Sequence, residues 1–497
     1  MNIFINIPLF SIVLCLICSV VSSVLSGRWA RKLTIALTAA LSIGSAAVLG
    51  YTVSTGQAVT FMMGHFPAPW GNEIKFGVLE PLFCMIFSLV MLLSVLGGKK
   101  HLELDLVQKK SNLYYVMTDL VMVSLLALCY TNDIFTGYVF IEICTISSCG
   151  ILMIRQIGRT TLASIRYMIF SLLGSGLFLF GIIILYDITG HLLMPNVKAA
   201  VAEIWKTGEY RFPMLVVMCL ISIGLSIKSG LFPFHFWMPD TYGYSTPCSS
   251  ALLSGIISKG YIFLLIKFIF DVFGTDVFYS SGVHNVLYLF GLCGIVVGSL
   301  CAIRENNISR MTAYSSAAQI GYIYMGIGIS PTFGILAALF HILSHAIAKP
   351  ALFLSASALS DASGGSRQFT RLHGAGHRNR AAGIMFTVGA FSMTGIPGTC
   401  GFISKYLFAS AGFHASMKML PTLIVLAVST ILNAVYFIRT VVRIYSPAGA
   451  DIDGTIVKAG QQKSFVVSAA MFTLANLAVG LCSQPVISLI EKGMMIL

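Results

Sequence analysis

The sequence predicts an all-α polytopic membrane protein with about fourteen transmembrane helices, and three observations predict it. Of its 497 residues, 57% are hydrophobic and only 10% are charged, whereas a soluble chain carries about 25% charged residues. Mean hydropathy is +0.88. The apolar residues also gather into runs of about 20, the length an α-helix needs to cross the hydrocarbon core.

By that rule the spans fall near 4–25, 33–54, 78–97, 113–131, 134–154, 161–187, 213–231, 247–270, 284–303, 311–329, 332–360, 381–413, 421–445 and 465–490. The first run has no early positive region and no small-residue cleavage site, so it reads as a retained helix and not as a signal peptide. The 188–212 loop mixes Val, Ala, Ile and Trp with charge and is expected along the membrane interface. Ser363-Gly-Gly-Ser366 reads as a plain turn.

Two spans are interrupted in the same way. The seventh contains Lys228-Ser-Gly-Leu-Phe-Pro-Phe-His-Phe-Trp-Met-Pro239, and the twelfth contains Thr394-Gly-Ile-Pro-Gly-Thr-Cys-Gly-Phe-Ile-Ser-Lys405. Each sets Gly and Pro beside a lysine inside an apolar run. Proline removes a backbone donor and blocks the helical hydrogen bond behind it. Such a break survives in a membrane only where protein or water satisfies the freed groups. Breaks about five spans apart suggest two repeated halves, helices 4–8 and helices 9–13. The expected units are residues 1–110 (helices 1–3), 111–272 (helices 4–8), 283–446 (helices 9–13) and 460–497 (helix 14).

The formal charge of +13 does not point to nucleic acid, because the basic residues are spread through short loops. Most follow odd-numbered helices, among them Arg28, Arg31, Lys32, Lys99, Lys100, Lys109, Lys110, Arg155, Arg159, Arg367, Arg371, Arg378 and Arg380. The positive-inside rule then sets both termini on the non-cytoplasmic side of the cell's inner or plasma membrane.

Other chemistries find no foothold. The 12 cysteines lie mostly in apolar runs and read as small buried residues. Cys15 and Cys18 have CxxC spacing, but no second pair completes a zinc site. His341 and His345 share the spacing of an HExxH protease, but Ile342 stands where the glutamate base belongs. One helix face cannot set both histidines on opposite sides of a haem. The sequence contains no P-loop, dinucleotide fingerprint or iron–sulfur cysteine cluster. No cofactor is therefore expected in this chain.

The distinctive residues are ionisable groups inside the spans: Glu142, Lys228, Lys259, His341, His345, Lys349 and Lys405. Each costs roughly 2.5–3.5 kcal/mol at mid-bilayer on insertion scales, and such groups usually serve ion or proton movement. His341, His345 and Lys349 recur every four residues, so they share one helix face. Imidazoles titrate near neutrality, and a buried lysine can be brought toward that range. Bridged by water, such a row can pass protons. The plain alternative for any single histidine is a hydrogen bond to a neighbour. Pro350 follows Lys349 and predicts a break in that helix, open to water.

Lys228 and Lys405 adjoin the two breaks, where a freed carbonyl can hold an ammonium; the plain alternative is snorkelling near a helix end. Lys259 lies well inside its span, where snorkelling is harder. Glu142 needs a nearby cation to stay ionised, and Lys228 is the natural partner. A structural ion pair is the competing reading. His235, in the first break, reads equally as a relay or as a cap for freed backbone. Asp119 and Asp133 are expected near the surface, and Arg304, Glu305 and Arg310 as ordinary loop charges.

These residues resemble the signature of antiporter-like subunits. The matching segments are Asn132-Asp-Ile-Phe…Phe-Ile-Glu142, the run from Lys228 to Asp240, Thr246-Pro-Cys-Ser-Ser-Ala-Leu-Leu-Ser-Gly and Lys259-Gly-Tyr. Beyond them come Arg310-Met-Thr-Ala-Tyr-Ser-Ser-Ala-Ala-Gln-Ile-Gly-Tyr, Phe340-His-Ile-Leu-Ser-His-Ala-Ile-Ala-Lys349 and Gly395-Ile-Pro…Gly401-Phe-Ile-Ser-Lys405. The family includes the L, M and N subunits of respiratory complex I, the A and D subunits of Mrp sodium/proton antiporters, and a subunit of membrane-bound hydrogenases. The resemblance implies fourteen helices with two inverted five-helix repeats and broken helices 7 and 12. It implies that Glu142 and Lys228 form a gating pair and that Lys259 connects to a relay of His341, His345 and Lys349, ending at Lys405. It also implies other membrane subunits, redox-module subunits among them, as partners. Three features depart from or narrow the pattern. Pro350 is unexpected after the relay lysine, Thr246-Pro-Cys replaces the usual Ala-Pro-x-Pro, and no long lateral helix of the L type follows the fourteenth span.

The leading expectation is thus a non-redox, proton-translocating subunit of a redox-driven pump. The D-type subunit of an Mrp Na⁺/H⁺ antiporter is the alternative. A stand-alone solute transporter would want a substrate pocket richer in Asn, Gln and acidic groups, and an inert scaffold would leave seven buried ionisable groups unexplained.

Overall fold

The computed structural model describes residues 3–63, 66, 71–106, 110–447 and 462–497. Lys109 of the basic loops and the expected start of the last unit at residue 460 lie outside these residues. Among the described residues, twelve helices are long and apolar enough to cross a membrane. One less apolar helix and one broken pair complete the fourteen spans.

α1 (Ile3–Val24), α2 (Gly27–Thr55) and α3 (Leu79–Gly97) come first, with β1 (Val59–Met62) and β2 (Glu73–Phe76) between the latter two. The strands pair antiparallel, Val59 opposite Phe76. The sequence does not predict this hairpin, because its signal is only four residues long. Ile74 and Phe76 turn inward while Glu73 and Lys75 are half-buried, the period-2 pattern of a strand.

The short α4 (Lys99–Asp105) leads to α5 (Ser111–Tyr130), α6 (Ile134–Met153) and α7 (Gly158–Thr189). α8 (Met194–Thr207) buries Met194, Val197 and Val201 on one stripe, so the 188–212 segment, read from the sequence as an interfacial loop, contains an amphipathic helix. α9 (Arg211–Ser229) stops at Gly230, and α10 (Met238–Tyr244) resumes the span after a 3₁₀ turn. The eighth span is composite. α11 (Pro247–Leu252) and α12 (Ser258–Lys267) are joined by a π-helical turn at Leu253–Ile257, and a second π turn, Phe268–Phe273, precedes α13 (Thr275–Ser280).

α14 (Val283–Arg304), α15 (Ile308–Ile329) and α16 (Phe333–Asp361) follow, then the short α17 (Ala375–Arg378). α18 (Arg380–Thr394) and α19 (Cys400–Phe413) are the two halves of the broken twelfth span, as expected. α20 (Met419–Tyr445), α21 (Lys463–Leu481) and α22 (Ser483–Ile496) end the fold. The fourteenth span is thus shorter than the expected 465–490. Pro485 lacks the N–H that a continuing α21 would need, so α22 starts afresh and packs on α3 and α16.

Two spans are buried on all sides, Pro247–Phe273 and α16. They carry Lys259, His341, His345 and Lys349. α1, α2, α20 and α21 present most of their surface outward.

Several expectations are corrected. α16 runs unbroken through Pro350. The proline ring is accommodated because Gly255, in the first π turn, has no side chain; a Cβ there would meet Pro350 Cγ at 2.6 Å. Asp119 is not near the surface. It is fully buried and accepts hydrogen bonds from Ser22 Oγ at 3.0 Å and Thr34 Oγ1 at 2.8 Å, which tie α1 and α2 to α5. Asp133 is half-buried and caps α6, accepting from Thr136 N at 2.6 Å. Arg310 is more than a loop charge. It donates to Glu305 at 2.9 Å, Asp240 at 2.8 Å and Tyr244 at 3.1 Å, fastening α15 to α10.

Candidate functional site

Both breaks end their first half-helix with the same hydrogen-bond pattern. Gly230 N donates to Ser226 O at 3.0 Å and to Ile227 O at 3.2 Å, and Leu231 N donates to Ser226 O at 3.0 Å. Gly395 N donates to Phe391 O at 3.0 Å and to Ser392 O at 3.1 Å, and Ile396 N donates to Phe391 O at 3.0 Å. Each glycine is left-handed, with φ of 83° and 86°, the conformation glycine adopts without a Cβ penalty. The breaks therefore satisfy much of their own backbone and leave only a few carbonyls to be served.

Lys405 serves one of them. Its Nζ donates to Thr394 O, the last carbonyl of α18, at 2.7 Å and to Thr430 Oγ1 at 2.9 Å. The ammonium thus sits at the negative end of a half-helix. Lys228 is held differently. Its Nζ donates to Thr145 Oγ1 at 2.7 Å and lies 3.9 Å from Glu142 Oε1, with the Tyr261 ring 5.5 Å away. The lysine side chain is fully buried, while the Glu142 side chain is 21% exposed. Glu142 and Thr145 stand three residues apart on α6, so one helix face presents both partners to Lys228.

Lys259 uses the first π turn. Its Nζ donates to Ser254 O and lies 3.4 Å from Ser258 Oγ. A π turn misaligns the backbone ladder, and the side chain takes up the released carbonyl five residues back. Lys259 is within electrostatic reach of His341, His345 and Lys349 of α16, which packs on α11 and the first π turn.

On α16 the three expected groups share one face. The His341 and His345 rings stack with centroids 5.8 Å apart. His341 Nδ1 pairs with Ser404 Oγ of α19 at 2.6 Å, and Lys349 donates to Ser315 Oγ at 2.7 Å and Thr312 O at 3.1 Å. Three polar atoms along this row have no hydrogen-bond partner within the protein, His341 Nε2 and both ring nitrogens of His345, and Glu142 Oε1 on α6 is a fourth. Buried polar atoms are usually paired with protein or water. His235 is buried too, its Nδ1 without a partner and its ring between Phe232 and Phe236.

All seven expected residues thus fall on elements that pack on one another around α16 and the composite eighth span. Sequence reasoning misses three buried charges. Glu80 near the start of α3, Lys267 at the end of α12 and Asp271 beyond it are all buried. Each lies at the edge of an apolar run, where a charge reads as a loop residue; the flanking apolar residues are the available signal. Among the described residues no group of three or more His, Cys, Asp or Glu side chains is arranged to hold a metal ion.

The family described as "NADH:quinone oxidoreductase/Mrp antiporter, TM" matches residues 131–432. The chain belongs to this family. The matched stretch contains every residue from Glu142 to Lys405 discussed above. Among its relatives, the chain is 29% identical over 427 residues to the N subunit of the NADH-quinone oxidoreductase of Desulforudis audaxviator, covering 85% of this chain and 82% of that one. It is 24% identical over 461 residues to the D-type subunit of the Na⁺/H⁺ antiporter of Bacillus subtilis, covering 92% and 90%. Its fold matches a chain of the membrane-bound sulfane sulfur reductase, an archaeal respiratory membrane complex, with a TM-score of 0.87 at 22% identity over 99% of this chain and 96% of that one. As a member of the antiporter-like family, the chain is a polytopic membrane protein.

Proposed function

We propose that this chain is a proton-translocating subunit of a larger membrane complex, moving H⁺ along an axis from Glu142 and Lys228 through Lys259, His341, His345 and Lys349 to Lys405. The observation that carries this reading is the open pair at the head of the axis. Glu142 Oε1 has no hydrogen-bond donor although Lys228 Nζ is only 3.9 Å away, and the ammonium is bonded to Thr145 instead. A purely structural pair would close, since one unsatisfied buried acceptor costs about 1–3 kcal/mol. A lysine shared between a hydroxyl and a carboxylate has two resting places, which is what a charge-driven switch requires. His235 is a further candidate relay, beside the first break.

The driver is a neighbouring redox module, as in the quinone oxidoreductase to whose N subunit this chain is related. An Mrp-type Na⁺/H⁺ antiporter is the second reading, favoured by the near full-length match to a D-type antiporter subunit. The matching break geometries support two inverted units, residues 111–272 and 283–446. The loop charges support a plasma-membrane location with both termini on the non-cytoplasmic side.

The test is proton uptake by inverted vesicles carrying the assembled complex. Glu142→Gln and Lys228→Ala should each cut uptake about tenfold or more while assembly stays normal. Wild-type uptake in both variants would sink the reading.

A further inference from the structure

We infer that Glu80 and Lys267 form a second proton-exchange pair, which links the axis to the face carrying the β1–β2 hairpin through a plug made by Phe83 and Phe263. This inference rests on the proposed translocation along the Glu142–Lys405 axis and supplies a connection from it to one membrane face. Glu80 lies outside the stretch matched by the family, and the axis does not use either residue.

The pair sits deep in the protein. Glu80 is 1% and Lys267 0% exposed. Lys267 Nζ donates to Cys129 O at 2.7 Å and Thr131 O at 2.8 Å, where α5 ends. It stands 4.0 Å from Glu80 Oε1, too far for a closed bond. Glu80 Oε2 accepts from Gly77 N at 2.7 Å, but Oε1 has no hydrogen-bond partner in the protein. Asp271 Oδ2 is likewise buried and unpartnered. A pair kept for rigidity would close and fill these lone pairs, because an unsatisfied buried acceptor is costly. An open pair with a free carboxylate oxygen can instead accept a proton.

The surroundings give that proton a way out. Asp271, beyond Lys267 in the second π turn, accepts from Lys75 Nζ of β2 at 2.6 Å. Lys75 is 14% exposed in its side chain and also donates to Leu497 O at 3.2 Å. Glu73, on the same strand, accepts from Asn132 Nδ2 at 3.1 Å, and Asn132 Oδ1 is a third buried acceptor without a partner. The charged side chains around the pair are thus Asp271, Lys75 and Glu73.

The same helices carry the connection inward. Lys259 and Lys267 lie eight residues apart on α12, about 12 Å along its axis. Midway, Phe263 packs on Phe83 of α3 with ring centroids 4.7 Å apart. Phe83 is three residues from Glu80 and Phe263 four from Lys267, so the rings form the next layer below the ion pair. A dry aromatic layer between two charged layers stops a water wire until the rings part.

The step itself is a proton transfer. The N–H bond of the Lys267 ammonium breaks and an O–H bond forms at Glu80 Oε1, leaving a neutral amine and a neutral acid. The acid then releases the proton toward the Asp271–Lys75 side. Lys267 is recharged from Lys259 when the plug opens.

The test uses the assembled complex in native membrane vesicles. Glu80→Gln should lower pumping about tenfold or more with normal assembly, and should remove a carboxylic-acid C=O band from the infrared difference spectrum of turnover. A purely structural glutamate would contribute no such band. Because Glu80→Gln leaves Lys267 unpaired and can hinder folding, the neutral double variant Glu80→Gln/Lys267→Met provides a second measurement; it removes both charges together. Phe83→Ala should raise the passive proton leak of de-energised vesicles several-fold. Wild-type pumping in the double variant, with Glu142→Gln still inactive, overturns this inference alone. Normal pumping in Glu142→Gln overturns the parent reading and this one with it.

Discussion

At the scale of single residues, the site is a set of charges that have partners without being fixed by them. Lys228 shows this best, bonded to Thr145 at 2.7 Å while Glu142 waits at 3.9 Å. Thr145 is therefore a positioning residue, since it holds the ammonium off the carboxylate. Thr145→Val keeps the shape and removes the acceptor. A hydrogen bond to a charged group is worth about 1.5–3 kcal/mol, and 1.4 kcal/mol is about a factor of ten in rate. Lys228 should then close onto Glu142, and proton uptake should slow about tenfold with unchanged assembly. Uptake at the wild-type rate would show that the hydroxyl does not set the balance. Asp119 illustrates the opposite case. Two hydroxyls satisfy one carboxylate oxygen each, and the group serves to join helices. Asp119→Ala should lower the melting temperature of the solubilised chain by leaving the Ser22 and Thr34 hydroxyls buried without acceptors, at about 1–3 kcal/mol. An unchanged melting temperature would mean that α1 and α2 are held elsewhere.

At the scale of elements, the positions of the spans and the placement of seven ionisable groups inside them were legible, for one physical reason. Long apolar runs have few uses outside a membrane, and an ionisable group within such a run is conspicuous. The irregular backbone was legible only where glycine and proline announced it. The breaks at Gly230 and Gly395 were expected and are present. The π turn at Leu253–Ile257 was not expected, because its lone Gly255, with no proline beside it, is tolerated inside a helical pattern. Pro350 was expected to break α16 and does not, because what accommodates its ring is Gly255 on another helix, a contact that one sequence cannot display. Lys267 was passed over because it stands near the expected end of its span at 270, and the second π turn, which carries the span on to Phe273, leaves no trace in hydropathy. Gly255 thus becomes a point of prediction. Gly255→Val would drive a side chain into the Pro350 ring, with Cβ 2.6 Å from Cγ. Overpacking of this kind costs about 1–3 kcal/mol, and it would shift the π turn that presents Ser254 O to Lys259. Thermal stability and proton uptake should fall together, and Pro350→Ala in the same chain should restore part of both. A Gly255→Val chain as stable as the wild type would show that the contact is not tight.

At the scale of the whole molecule, the proposed axis runs through the two most buried spans and has partly exposed groups at its two ends. The Glu142 side chain is 21% exposed, and its neighbours on that face of α6, Phe135, Val139 and Ile146, are exposed at 46%, 38% and 63%. Lys405 adjoins Phe402 and Tyr406, exposed at 37% and 63%. In an isolated chain these faces would meet acyl chains, and a carboxylate there would carry the insertion cost of a mid-bilayer charge. A neighbouring membrane protein of the same complex, lying on α6, removes that cost and brings its own charge within reach of Glu142, so a charge event next door could move Lys228. Ile146 lies one turn from Glu142 on the same face and makes a suitable reporter. In an Ile146→Cys chain, a spin label should report contact with lipid when the chain is purified alone. It should report protein contact, and lose its accessibility to oxygen, when the assembled complex is measured in the same membrane. Equal oxygen accessibility in both states would leave this face to lipid and remove the route by which a partner could act on the Glu142–Lys228 pair.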